Sequence, residues 1–156
     1  MKLTPLDYKV IKLLNQDARM SCAQIARRLG VPERTVRLRV NQLIERKIVK
    51  PVAVVNASHF GYDLVVDIFC EVDIALRESV LLALLAMPEI SYIAFSTGDQ
   101  DLSIQALFKS SANMHDFITH KLYQIPGIRR TRTVLVPQII KDTYQWLPPI
   151  EQTEPQ

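Results

Sequence analysis

The feature that most limits what this chain can fold into is a change of hydrophobic period at Lys50. Before it, apolar residues recur three and four apart. After it, alternating segments take turns with helical ones. That order predicts an α+β chain, a small helical head followed by a mixed body. The 156 residues are enough for one domain or two small ones.

The head reads as three helices. Thr4 suits a cap, Pro5 the first helical position, and Asp7 stands in the first turn. Leu6, Val10, Leu13 and Leu14 then form one apolar face. Ser21 and Gln24 have capping-box spacing, Ile25, Ala26 and Leu29 make the buried side, and Gly30 closes the second helix. Pro32 opens a third helix to about Lys47, with Val36, Val40 and Leu43 inward. The few residues around Gly30 between helices two and three give helix-turn-helix spacing.

The body begins with a β-rich stretch, Ile48 to Val55, which Pro51 restricts to an edge strand or linker. Leu64–Val72 alternates, 76–87 is helical, and Ile90–Thr97 is a strand. Gly98–Asp101 makes a tight turn, Leu102–Phe108 a strand, Ser111–Gln124 a helix and Ile128–Val136 a last strand. The order β-α-β-β-α-β predicts a ferredoxin-like domain. The expected divisions are a head at 1–50, a linker strand at 51–62, the ferredoxin-like domain at 63–146 and a flexible tail at 147–156. The uncovered sheet face is expected to keep Val65, Phe69 and Leu135. The segment Val80–Met87 is apolar all round, so burial by its own sheet and by a second subunit is expected.

Several function classes drop out. Four glycines, each between periodic segments, leave no phosphate-binding loop. Two cysteines, Cys22 and Cys70, give no disulfide framework. The charge-free run Ser79–Pro88 is far short of the roughly 20 residues that span a bilayer. No apolar signal core follows Met1, so a cytoplasmic chain without membrane contact is expected. His59, His115 and His120 have no metal spacing, so no metal or cofactor is expected.

Charge is uneven. Residues 1–50 hold 12 Lys and Arg against 4 Asp and Glu; the remainder hold 7 against 12. A basic head on an acidic body points to a polyanion partner for the head. Stepping 100° per residue from Val36 turns Arg34, Leu38, Asn41 and Glu45 outward. Arg34, Thr35, Arg37 and Asn41 are then candidates for base contact, since Arg pairs with guanine and Asn with adenine. Arg39, nearer the core edge, is expected in a structural ion pair. Arg19, Arg27, Arg28, Lys47 and Lys50 surround this helix and suit the phosphates of double-stranded DNA.

The chain resembles the Lrp/AsnC, or feast/famine, transcriptional regulators over about 140 residues. Leu6-Asp7, Ile11–Leu14, Asp17–Ser21, Ile25-Ala26, Leu29–Val31, Val36, Arg39-Val40, Leu43 and Ile48-Val49 carry it in the head. Ser96–Leu102, Ile125–Ile128 and Thr131–Thr133 carry it in the body. The resemblance implies a DNA-binding regulator with a small-molecule effector, often an amino acid, bound at a subunit interface. It implies effector contacts at Gly98, Asp99 and Asp101, at Ser111, and at Val134, Leu135 and Val136. It also implies a homodimer that assembles to a tetramer or octamer. Asp101 is expected to govern the effector response with little influence on stability. Three positions depart from the family pattern: Pro32 for a Ser or Thr cap, Lys47 for a glycine, and Leu102 for an aromatic. The siroheme decarboxylases, which share the two-domain shape, supply the alternative, a tetrapyrrole enzyme. They carry a histidine in the strand before the hairpin turn, and Ser91–Ser96 has none.

Overall fold

The computed structural model describes residues 3–141 and Leu147. The chain divides into two compact units: the first runs to Val54 and takes in the end of the chain from Lys141, and the second is Val55–Ile140. In the first, α1 (Pro5–Gln16), α2 (Cys22–Leu29) and α3 (Glu33–Glu45) pack around Val10, Ile11, Met20, Ile25, Ala26, Val36 and Leu43. Leu147 packs against this cluster; the rest of the expected tail lies outside the described residues. The caps form as the sequence spells them. Thr4 and Asp7 exchange hydrogen bonds at the start of α1, and Ser21 and Gln24 do so at α2. Each pair satisfies amides that a helix start leaves unpaired.

The second unit is a four-stranded antiparallel sheet in the order β2-β3-β1-β4, with β1 Leu64–Val72, β2 Ile90–Phe95, β3 Leu102–Phe108 and β4 Ile128–Val136. Helices α4 (Arg77–Leu85) and α5 (Ser111–Asp116) occupy the two crossovers. This is the ferredoxin-like arrangement. Val66, Ile68, Cys70 and Val72 alternate inward from β1 and meet Leu102, Ile104, Ala106 and Phe108 of β3. Val80 and Leu84 close the core from α4, Phe117 and Leu122 from the segment after α5. Gly127 leads into β4 with φ +101°, and a Cβ there would lie 2.7 Å from the Leu76 Cβ, so the position excludes any side chain.

Three expectations need correction. No ladder pairs residues 51–56, so the linker strand does not form; Pro51 has no amide to donate and a strand exists only as one of a pair. The helix after Ser111 turns π-helical at Phe117–Lys121 and ends in a 3-10 turn at Leu122–Gln124. Phe117 and Leu122 are five apart and both buried. A regular helix would set them about 140° apart, and the wider turn brings them to one face. Leu135 pairs with Val66 and so belongs to the helix-covered side near the sheet edge; Val134 and Val136, opposite Asp67 and Val65, occupy the open face instead. The expectation for α4 is not among them: a Val80–Leu84 stripe is buried, and Leu82 and Leu85, 70% and 65% exposed, are open to a second subunit.

Candidate functional site

The helix-turn-helix is held by short-range bonds. Gly30 takes the left-handed conformation at φ 66°, and the Gly30 and Val31 amides both donate to the Ala26 carbonyl. Only a residue without Cβ adopts that φ freely, so the turn into α3 is fixed by sequence. Pro32 stands at the start of α3 and offers no side-chain cap.

Val36 and Leu43 anchor α3 in the core, and the opposite face carries Arg34, Leu38, Asn41 and Glu45 in solvent. Thr35 is half-buried beside them. Arg37 is exposed but engaged: its guanidinium donates to Glu33 one turn back, and that hydrogen bond raises its pKa further. Arg39 lies 3.9 Å from Oδ1 of Asp7, a fully buried carboxylate. The other Asp7 oxygen accepts from the Thr4 amide at 2.8 Å and the Thr4 hydroxyl at 2.7 Å. Arg39 thus ties α3 to α1, a structural ion pair. Arg19, Arg27, Arg28, Lys47 and Lys50 are all exposed, and among the described residues no ion pair holds them.

Lys47 takes a backbone conformation that glycine favours. Its φ is 57°, in the left-handed region, and the amides of Ile48 and Val49 both return to the Leu43 carbonyl. A lysine here bears about 1 kcal/mol or more of backbone strain. The same residue leaves its ammonium at the exit of α3.

In the second unit the structure separates the expected effector residues into two groups. Gly98, Asp99 and Asp101 lie at one end of the sheet. Ser111 and Val136 lie at the other, where Val65 pairs with both Leu107 and Val136. The strand β3 between them spans roughly 20 Å. Val134 and Val136 face the open side and Leu135 does not. One protomer therefore does not assemble the whole set.

Asp101 is more committed than its motif suggests. Its Oδ2 accepts the Val72 amide at 2.7 Å, its own amide donates to the Cys70 carbonyl, and its carbonyl accepts the Ser96 amide. These bonds fasten the turn to β1 where the β1–β4 register shifts, between Glu71 and Val72. Asp99 and Gln100 instead border a cleft of about 260 Å³ with Arg130, Thr131 and Arg132. Thr131 and Arg132 were legible as part of a motif but not as a lining, and Arg130 as neither. Arg132 stacks on Phe69 at 4.8 Å and Arg130 sits 3.8 Å from Glu71, pairings set by strand register. Leu102, which stands where an aromatic was expected, is fully buried in the core.

Among the described residues no three His, Cys, Asp or Glu side chains could hold a metal, and no helix is long and apolar enough to cross a membrane. Both cysteines are free thiols. Burial pushes Cys70 up to about 12.

Residues 3–44 match the AsnC-type helix-turn-helix domain and residues 65–146 the Lrp/AsnC ligand-binding domain. A Pyrococcus abyssi protein named as an uncharacterized HTH-type transcriptional regulator is 33% identical over 145 residues, covering 92% of each chain. The fold is shared with a Neisseria meningitidis transcriptional regulator crystallised with L-Met (TM-score 0.88, 21% identity, 94% of this chain and 97% of that one). It is shared too with Escherichia coli AsnC (TM-score 0.86, 24% identity, 93% and 99%). With a family match in each unit, the chain belongs to the Lrp/AsnC family of DNA-binding transcriptional regulators.

Proposed function

We propose that α3 enters the major groove of double-stranded DNA and reads bases with Arg34, Thr35, Arg37 and Asn41. Arg19, Arg27, Arg28, Lys47 and Lys50 hold the flanking phosphates. The observation that carries this is the outward face of α3, where Arg34 and Asn41 stand in solvent with exposed basic residues around them. Arg37 reaches a base by exchanging Glu33 for it. Selection of bound fragments from a random DNA pool tests the assignment. Wild type should return a consensus, and Arg34→Ala with Asn41→Ala should return a degraded one. An unchanged consensus would remove these residues from base readout.

The second unit acts as the sensor and assembly module in this proposal. Its ligand is an amino acid or related metabolite, a chemistry supported by the L-Met complex of the Neisseria regulator. The Gly98–Asp101 turn of one protomer would meet the Ser111 and Val134–Val136 region of another, because one protomer keeps them at opposite ends of the sheet. The open sheet face, with Val65, Phe69, Leu107, Val134 and Val136, supports a homodimer that builds to a tetramer or octamer. Exposed Leu82 and Leu85 on α4 offer a further contact. The work of the protein is binding rather than catalysis, in the cytoplasm where DNA is reached.

A further inference from the structure

A further cleft, of about 580 Å³, is lined entirely by residues of the first unit. The Leu43 carbonyl takes the amides of Ile48 and Val49, so the chain turns back on leaving α3. Pro51 then has no amide to donate, and no ladder pairs the residues that follow it. This unpaired segment, to Val54, lines the same cleft as the turn between α1 and α2 and the side chains of Val40 and Ile44 from α3.

The lining is apolar with a charged rim. Met20 and Ile25, core residues of this unit, reach the cleft, with Leu14 and Val40 half-buried beside them. Ile44, Val52 and Val54 also line it and are exposed. Apolar side chains left open around one concavity mark a place where something apolar binds. The charged residues of the lining are Arg19, Lys50 and Asp17. Asp17 accepts the Arg19 backbone amide at 2.9 Å, and among the described residues no ion pair holds the Arg19 guanidinium or the Lys50 ammonium.

We propose that this cleft binds an apolar monocarboxylate of about ten heavy atoms, its carboxylate on Arg19 and Lys50 and its hydrocarbon on Leu14, Met20, Ile25 and Val40. Two cations against one carboxylate favour a single negative charge on the ligand. An ammonium on the ligand would meet those cations or be desolvated against the apolar lining, so the site rejects amines and amino acids alike. It is a different chemistry from that of the effector in the second unit. Arg19 and Lys50 are also the residues assigned above to phosphates. On that assignment, a ligand here opposes DNA.

Calorimetric titration of the full chain with octanoate tests this. DNA is left out, so failure here is distinguishable from failure of the phosphate assignment. Acetate supplies the carboxylate without the tail, and octylammonium chloride the tail with the opposite charge. Octanoate should bind once per chain, and each of the other two at least about tenfold more weakly. The double variant Arg19→Gln, Lys50→Met should weaken octanoate about tenfold, and Ile44→Asp, which sets a carboxylate in the lining, at least as much. Lys109→Met, in the other unit, should leave the binding in place. If Ile44→Asp fails to fold, the double variant carries the comparison, since both its positions are exposed. The proposal is overturned if octanoate does not bind, or if octylammonium binds as well. Binding that the double variant leaves unchanged overturns it too, as does binding that Lys109→Met abolishes.

Discussion

The Asp101 carboxylate accepts the Val72 amide at 2.7 Å across 29 residues of chain, and so closes the hairpin turn onto β1. Val72 is 8% exposed, so its amide has little access to water once that oxygen is gone. Asp101→Ala should cost roughly 1–3 kcal/mol in urea unfolding, the range for a lost bond to a charged group that leaves a shielded donor behind. Asp101→Asn keeps an acceptor and should lose less. A change below about 0.5 kcal/mol in the alanine variant would show the bond to be dispensable. Reduced effector response in Asp101→Ala must therefore be read beside its stability.

Lys47 makes the opposite case. Lys47→Gly should raise stability by about 1 kcal/mol, because glycine adopts φ 57° without the Cβ clash, less its greater freedom when unfolded. The same change removes an ammonium beside the DNA and should weaken binding to every sequence. Urea midpoints and anisotropy titrations on one preparation check both signs; a variant that gains neither stability nor loses affinity refutes the account.

DNA affinity should fall steeply with salt. If six phosphates are neutralised per dimer, log K against log salt should slope near −5 (about −0.9 per phosphate). Lys50→Ala should shallow the slope and weaken all sequences alike. Arg34→Ala and Asn41→Ala should cost about 1–3 kcal/mol on the selected site and much less on random DNA. Equal losses on both would mean the outer face of α3 is only solvated.

Acid should expose the Asp73–Arg129 pair. The Arg129 hydrogen bond, then the Ala75 amide, hold the Asp73 carboxyl below its usual range. A depressed carboxyl stabilises the fold above the unfolded value of about 3.9 and loses that contribution as pH falls through the folded value. Wild type should therefore lose stability more steeply than Arg129→Gln below about pH 4. Above about pH 5 the gap between them should be constant. Parallel curves throughout would show that the pair contributes nothing on folding.

Sedimentation of the full chain at micromolar concentration should give a dimer or larger. Val65→Lys and Val134→Lys, neighbours on the open face by register with Val136 and Asp67, should shift it toward monomer. A wild-type monomer would contradict the proposed assembly.

Local chemistry was the legible part of this protein. Thr4 with Asp7, Ser21 with Gln24, and Gly30 each act within a few residues, so their spacing fixes the head. Strand alternation gave β1 and β3 their inward faces. What escaped depends on pairing between distant segments. The β4 face could not be read because register relative to β1 decides it, and Leu135 fell on the wrong side. The π turn answers to Phe117 and Leu122 meeting one core, which no single period reports. In the site, the engagement of Arg37 by Glu33 followed helical spacing, whereas the Asp101–Val72 bond needed the folded sheet.

The two thiols stand in different worlds. Cys70 sits at 0% exposure with its proton firmly held, while Cys22 is half-buried at the first position of α2. A maleimide dye added to the native protein should find one attachment point, and that point lies in the helix-turn-helix itself. The unaltered chain thus comes with its own place for a fluorescent reporter of DNA engagement.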